Sequence, residues 1–352
     1  MADLDDRAAI SSVDASGMLA VSAALPEHCR EGYRLGRETQ GLPDGEGVTG
    51  VAFCGMGGSG VAGDVIRAIF RDRLRTPIAS VRGPELPAFC GPHTLVVVSS
   101  YSGGTAETLA CFEEAISRGC RLLLVTSGGE LARHGSERDL AAVAIPGGMM
   151  PRAALGYLAL GAMGALEGIG LLPPLADDVE EATGELDRIV TACGADVPRE
   201  RNAAKQLAWW IGDRVPVIWG AEGIGAAAAG RWKAQMNENA KVPAWSAALP
   251  ELDHNEVVGW SEGQGARFCL IALRHPGEHP EVKQRFPLSI EIAESSGIVS
   301  EEVMSSGRSA LSRLLSLVAV GDFASVYLGI ARDIDPTPVE AIARLKNSLA
   351  GA

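Results

Sequence analysis

The sequence predicts an α/β protein of two tandem domains, each a doubly wound parallel sheet covered by helices on both faces. Three observations carry this expectation. Short apolar, β-branched runs alternate with helical patterns through the first half of the chain. A strand, glycine loop and helix occur twice: Val51-Ala52-Phe53-Cys54 enters Gly55-Met56-Gly57-Gly58-Ser59-Gly60, and Val215-Pro216-Val217-Ile218-Trp219 enters Gly220-Ala221-Glu222-Gly223-Ile224-Gly225. The 352 residues also allow two medium domains with a large buried core.

Residues 1–48 form a helical lead-in, in which Met18, Leu19, Val21, Leu25, Tyr33 and Leu35 give a partly amphipathic pattern. The first domain is expected over 49–175. Its strands are Val51–Cys54, Pro77–Val81, Leu95–Val98, Arg121–Thr126 and Ala141–Ile145, with helices over about 61–70 and 105–117. The apolar stretch Ala153–Leu166 is too short and too rich in Gly and Ala to span a bilayer. It is expected to be a buried helix, with a partner subunit as one candidate neighbour. A charged helical connector over 176–207 leads to the second domain, 208–352. There the expected elements are a strand at Val215–Trp219, a long Ala-rich helix through Asn239, and strands at Phe268–Leu273, Leu288–Ala293 and Val299–Val303. Helices over about 308–331 and 338–349 follow, with Pro336-Thr337-Pro338 as the start signal of the last.

The composition is that of a globular chain, 47% hydrophobic and 21% charged. A net charge of −13 argues against nucleic acid or an anionic membrane as partner, so an anionic ligand needs a local site working against the overall field. The seven cysteines are scattered and form no CxxC pair, which fits buried thiols in a reducing cytoplasm. The N-terminal Met1-Ala2-Asp3-Leu4-Asp5-Asp6 has neither the basic segment nor the apolar core of a signal peptide. No His/Cys/Asp/Glu grouping has metal spacing, so no metal is expected.

The chemistry centres on the loop after the third strand. Ser99, Ser100, Ser102, Thr105 and Thr108 place five hydroxyls within ten residues, and Gly103 and Gly104 free the backbone between them. A helix cap needs one hydroxyl. Five hydroxyls with bare amides at a helix N-terminus make a phosphate cradle. It is not a Walker A loop, because no Gly-Lys-Ser/Thr is present. Gly55-x-Gly57-x-x-Gly60 matches the dinucleotide fingerprint, but the second strand ends in Arg82 where NAD needs an acid. NAD is thereby disfavoured, NADP stays open, and two Gly/Ser loops at adjacent strand ends favour a sugar phosphate with no cofactor. Glu238 near the end of the long helix lies between Asn237 and Asn239, amides placed to orient its carboxylate. A glutamate there opposes the helix dipole, which favours a functional reason for it. His254 is one of six histidines, in a short polar loop between apolar flanks, where a surface or capping role is the commoner fate.

These motifs together resemble a known family. Gly-Met-Gly-Gly-Ser-Gly at 55–60, Ser-Tyr-Ser-Gly-Gly-Thr at 100–105, Pro-Arg-Ala-Ala-Leu-Gly-Tyr at 151–157, Asn-Glu-Asn-Ala-Lys at 237–241, His-Asn-Glu at 254–256 and Leu-Lys-Asn-Ser-Leu at 345–349 occur in order. From about residue 14 onward the chain is similar to the bifunctional phosphoglucose/phosphomannose isomerases, which carry two sugar isomerase (SIS) domains of flavodoxin-like topology. The resemblance implies that Ser100, Ser102 and Thr105 bind phosphate, with Gly57, Gly58 and Ser59 closing the site. It implies Glu238 as the base moving a proton between C2 and C1, and Arg152 as the cation beside the enediolate. His254, reaching in from the other subunit of a homodimer, and Lys346 would open the sugar ring. Thr337 lies near a threonine linked to acceptance of mannose phosphate. The chain departs from the pattern twice: Gly104 stands where the family commonly has Asn, and no serine separates Pro151 from Arg152. A non-catalytic phosphosugar sensor built on the same loops is the alternative expectation. Retention of Glu238, His254 and Lys346 speaks for the enzyme, because a sensor needs only the phosphate loops.

Overall fold

The computed structural model describes residues 2–263 and 265–350. In chain order the first half contains α1 (Arg7–Val13), α2 (Met18–Ala23), α3 (Leu25–Glu38), β1 (Gly50–Cys54), α4 (Gly57–Phe70), β2 (Ile78–Val81), β3 (Thr94–Ser100), α5 (Ala106–Ser117), β4 (Arg121–Thr126), α6 (Gly129–Glu137), β5 (Ala142–Ala144) and α7 (Gly161–Gly168). The second half contains α8 (Ala176–Cys193), α9 (Ala203–Ile211), β6 (Val215–Ala221), α10 (Ile224–Asn239), β7 (Trp245–Leu249), α11 (Glu256–Gly259), β8 (Phe268–Arg274), α12 (Pro280–Ser295), β9 (Val299–Met304), α13 (Ala310–Ala331) and α14 (Glu340–Ala350).

The strands form two all-parallel sheets, ordered β2-β1-β3-β4-β5 and β7-β6-β8-β9. Both place the first strand between the second and third, which is the flavodoxin-like order with its switch point beside that first strand. The central strands β1, β3, β6 and β8 are buried through nearly their whole length, as helices on both faces require.

Two helices of unusual composition occupy the centre. α13 is 22 residues long and apolar enough to cross a membrane, yet protein encloses it: Leu314, Leu317, Val318, Ala324, Val326 and Leu328 are fully buried. It packs on α8, α9 and α10. The stretch Ala153–Leu166 becomes a 3-10 turn, a π-helical segment (Gly156–Leu160) and α7. Its neighbour is α3 of the same chain rather than a partner. Gly156 and Gly161 meet Gly32, while Gly36 faces Gly161, where an added Cβ would lie 2.1 Å from a carbonyl oxygen.

One expected strand fails, and one observed strand was not expected. Residues 288–293 belong to α12, not to a strand. Leu288, Ile290 and Ile292 alternate with polar residues at the strand period, but only Ile290 is buried, while Leu288 and Ile292 are exposed. β7, for its part, escapes the apolar pattern: Trp-Ser-Ala-Ala-Leu is an edge strand with no β-branched residue, and Trp245 is exposed. All seven cysteines are free, and six are buried.

Candidate active site

β1 and β3 are neighbours at the switch point of the first sheet, so the loops leaving their carboxyl ends lie side by side. The loop after β1 starts α4 at Gly57, and the loop after β3 starts α5 at Ala106. Two helix N-termini thus converge, neither with a side-chain cap on its amides, which is the arrangement that holds an anion. The hydroxyls knit the loops together. Ser59 Oγ accepts from the Tyr101 N–H at 3.1 Å, joining the two loops across 42 residues. Ser100 Oγ donates to Thr105 Oγ1 and accepts from the Gly103 N–H, both at 3.1 Å. Ser102, exposed at the tip, accepts from the Gly104 N–H at 3.4 Å. Gly103 has φ +67° with Gly128 O pressed against its Cα, so no side chain fits there.

The other half of the site forms where the first domain meets the end of α10. Pro151–Ala153 makes one 3-10 turn, and Arg152 is 2% exposed. Its Nε donates to Asn239 Oδ1 at 2.7 Å, and its Nη2 to the carbonyls of Pro336 and Thr337 at 2.8 and 2.9 Å. Its Nη1 lies 3.5 Å from Glu238 Oε2. The turn without an intervening serine therefore still delivers the guanidinium to the glutamate. Burial pushes the Arg152 guanidinium below its ordinary value, with the Glu238 carboxylate pulling it back up. Gly58 makes room for this turn: a Cβ there would meet Pro151 O at 2.7 Å and Arg152 Cα at 3.1 Å. The Gly57-Gly58 loop and the Pro151–Arg152 turn are packed backbone to backbone.

Sequence reasoning gave Asn237 and Asn239 the task of orienting Glu238, and the geometry differs. Asn237 Nδ2 donates to Val242 O at 2.8 Å, and Asn239 receives Arg152 and donates to Ser325 Oγ at 2.9 Å. A buried polar chain continues from Ser325 to the Asp322 carbonyl, and Asp322 holds Arg231 through two bonds of 3.1 and 2.8 Å. The glutamate's opposition to the helix dipole is met by cations instead. Besides Arg152 there is Lys241, which carries φ +55° just past the helix and had no role in the sequence reading. Its Nζ donates to the carbonyls of Glu238 (2.7 Å), Asn239 (3.5 Å) and Pro336 (2.8 Å). Burial, then the Arg152 charge, lower its pKa to about 8. Only its place in Asn-Glu-Asn-Ala-Lys could have singled it out.

A cavity of about 300 Å³ unites these parts: Gly57, Gly58, Arg152, Gln235 and Glu238 line it, with Arg82 and Asp64 paired at one side. Ser59, Ser100, Ser102 and Thr105 are not among its lining; Ser59, next to Gly58, ties their loop to the one that does line it. Thr337 abuts the site by its carbonyl on Arg152, while its Oγ1 is buried without a partner among the described residues. His254 and Lys346 are not brought to this cavity by their own chain. His254 is exposed at the end of the Glu251–His254 turn after edge strand β7, and Lys346 is exposed on α14.

Two parallel-sheet domains of this order, with hydroxyl-rich loops at the switch point of the first and a buried Arg–Glu pair at their junction, define a tandem SIS-domain protein of the sugar-isomerase class. Residues 200–349 match the family model described as the bacterial phospho-glucose isomerase C-terminal SIS domain. The bifunctional phosphoglucose/phosphomannose isomerase of Caldicellulosiruptor bescii is 34% identical over 330 residues, covering 93% of this chain and 97% of that one. That of Aquifex aeolicus is 35% identical over 302 residues, 85% of this chain and 90% of its own. A solved structure, a glucose-6-phosphate isomerase like protein from Thermus thermophilus, shares the fold with a TM-score of 0.62 at 20% identity, covering 96% of this chain and 99% of the other. The chain belongs to the bifunctional phosphoglucose/phosphomannose isomerase family.

Proposed function

We propose that this enzyme interconverts glucose 6-phosphate and mannose 6-phosphate with fructose 6-phosphate through a cis-enediolate. The observation that carries the reading is the Arg152–Glu238 pair in one cavity with the Gly57-Gly58 loop. Aldose–ketose isomerisation needs one carboxylate that takes a proton from C2 and returns it to C1, while the hydroxyl proton moves from O2 to O1. Glu238 supplies the carboxylate. Negative charge develops on the oxygen as the proton leaves, and Arg152, with an Nη1 free of hydrogen bonds among the described residues, supplies the cation beside it. C2 is trigonal in the enediolate, so the two epimeric aldoses share one intermediate, and one base serves both when rotation about C2–C3 presents either face of C2 to it. Ser59, Ser100, Ser102 and Thr105, with the amides of Gly57 and Gly58, hold the phosphate and fix the sugar's register.

Ring opening requires an acid–base pair, and neither His254 nor Lys346 is among the cavity's lining in one chain. In our reading His254 enters from the second subunit of a cytoplasmic homodimer, and Lys346 approaches on α14. Support comes from the exposure of both, and from an α14 whose apolar Ile342, Leu345 and Leu349 have no cover in a single chain. The SIS units are assigned to 49–175 and 208–352, with 1–48 as a lead-in and 176–207 as the connector, and Thr337 is assigned to mannose phosphate selectivity. A coupled assay of fructose 6-phosphate conversion to each aldose, with Glu238→Gln beside the wild type, tests the reading. Turnover by the wild type that vanishes in Glu238→Gln with binding retained supports it. Binding without wild-type turnover leaves a phosphosugar sensor.

A further inference from the structure

The buried polar side chains of α10 are satisfied among the described residues with one exception. Arg231 is held by Asp322, and Asn237 and Asn239 are both engaged. Gln235 is 3% exposed, and its Oε1 has no hydrogen-bond partner among the described residues. A buried amide oxygen normally finds a donor, because leaving it bare costs more than the bond returns. Gln235 lies three residues before Glu238, hence on the same face of the helix and about 4.5 Å along its axis. Both side chains line the cavity that holds Gly57, Gly58 and Arg152. Arg152 Nη1, a second buried group without a hydrogen bond among the described residues, lines the same space. An unpartnered buried acceptor and an unpartnered buried donor, on two residues that line one cavity, call for a group that both gives and receives a hydrogen bond. A sugar hydroxyl does so.

We propose that Gln235 is a substrate-contact residue whose amide carbonyl accepts a hydrogen bond from the C3 hydroxyl of the open-chain sugar. The inference rests on the isomerase reading for the choice of carbon. Glu238 works at C1 and C2, the end remote from the phosphate, so the hydroxyl next along the chain is the one on C3. Gln235, three residues before Glu238 on the same face of the helix, is the neighbouring polar side chain of α10 in the cavity. The contact is made only when substrate is bound, which is why the oxygen is bare without it.

The test compares wild type with Gln235→Met, which keeps length and volume and removes the amide, on glucose 6-phosphate and its 3-deoxy analogue. Loss of kcat/KM by about 10- to 100-fold on the normal sugar is expected, the range of one hydrogen bond with a buried polar group. On the 3-deoxy sugar the variant should match wild type within about twofold, since the hydroxyl is already gone. Its Tm should hold or rise by about 1–3 °C, because a bare buried amide is removed. A purely structural glutamine would lower Tm and cost both sugars alike, and that pattern overturns the proposal. Binding of glucitol 6-phosphate, an open-chain polyol phosphate that cannot react, separates this failure from that of the isomerase reading. If wild type does not turn over yet Gln235→Met weakens that ligand at least tenfold, the contact stands and the reaction does not. Equal affinities in the two proteins overturn the contact.

Discussion

Replacing Arg152 with Lys separates what charge does at this site from what geometry does. The guanidinium uses Nε and Nη2 on three fixed acceptors, Asn239 Oδ1 and the carbonyls of Pro336 and Thr337, and leaves Nη1 toward Glu238. A lysine ammonium keeps the charge but cannot span acceptors from two elements while facing the glutamate. Pro336 O keeps its second donor, Lys241, so Asn239 Oδ1 and Thr337 O are the acceptors left bare. At about 1–3 kcal/mol for each, the loss of stability comes to about 2–6 kcal/mol. With an unfolding entropy near 2.1 cal/mol/K per residue, the 352-residue chain should lose about 3–8 °C in Tm. Misplacing the cation beside the developing enediolate should cost about 10²–10³ in kcat, the range for one preorganised electrostatic contact. Scanning calorimetry and steady-state kinetics on wild type, Arg152→Lys and Arg152→Met give both readings. An Arg152→Lys enzyme within twofold of wild-type kcat and 1 °C of its Tm would refute the reasoning, because charge alone would then suffice.

Other perturbations have equally definite outcomes. Gly58→Ala should drive the Pro151–Arg152 turn away and cut kcat at least tenfold with a Tm loss of several degrees, since an added Cβ lies 2.7 Å from Pro151 O. Lys241 spends three donors on three carbonyls, and deprotonation leaves it two, so activity should fall as pH rises through about 8. In Lys241→Arg, which stays charged, that alkaline limb should vanish. The stability effect has the opposite sign. With a folded pKa of about 8 and an ordinary value of 10.5, the unfolded chain binds more protons between those limits, so the Lys241 contribution to stability grows with pH across that window. Urea denaturation of wild type and Lys241→Met at pH 7.5 and 10 measures it. Mixing inactive Glu238→Gln and His254→Ala proteins should restore about a quarter of wild-type activity if the histidine acts across a two-fold interface, through the one intact site of each mixed dimer. No recovery despite subunit exchange places His254 in its own subunit's site.

The doubly wound architecture was legible because buried parallel strands are continuous apolar runs and their loops carry glycine and hydroxyls. Arg121–Thr126 was located to the residue. β7 was not, since an edge strand needs little burial and Trp-Ser-Ala-Ala-Leu has little apolar signal. The false strand at 288–293 arose because Leu288 and Ile292 are exposed, which gave an outward stripe the look of an inward one. For the site, motif order located Glu238 and Arg152 singly. Their pairing joins residues 86 apart in the chain through a turn that only the packing of Gly58 permits. Lys241 and Gln235 were invisible as participants, because one is defined by which carbonyls converge on it and the other by the absence of a partner.

The central claim is that Glu238 carries a proton between C2 and C1. Incubating fructose 6-phosphate with enzyme in D₂O and following deuterium at C1 by NMR tests it most directly. Wild type should incorporate solvent deuterium during turnover, and Glu238→Gln should lose incorporation at least 10³-fold while still binding the sugar phosphate. Incorporation by Glu238→Gln within tenfold of wild type would contradict it.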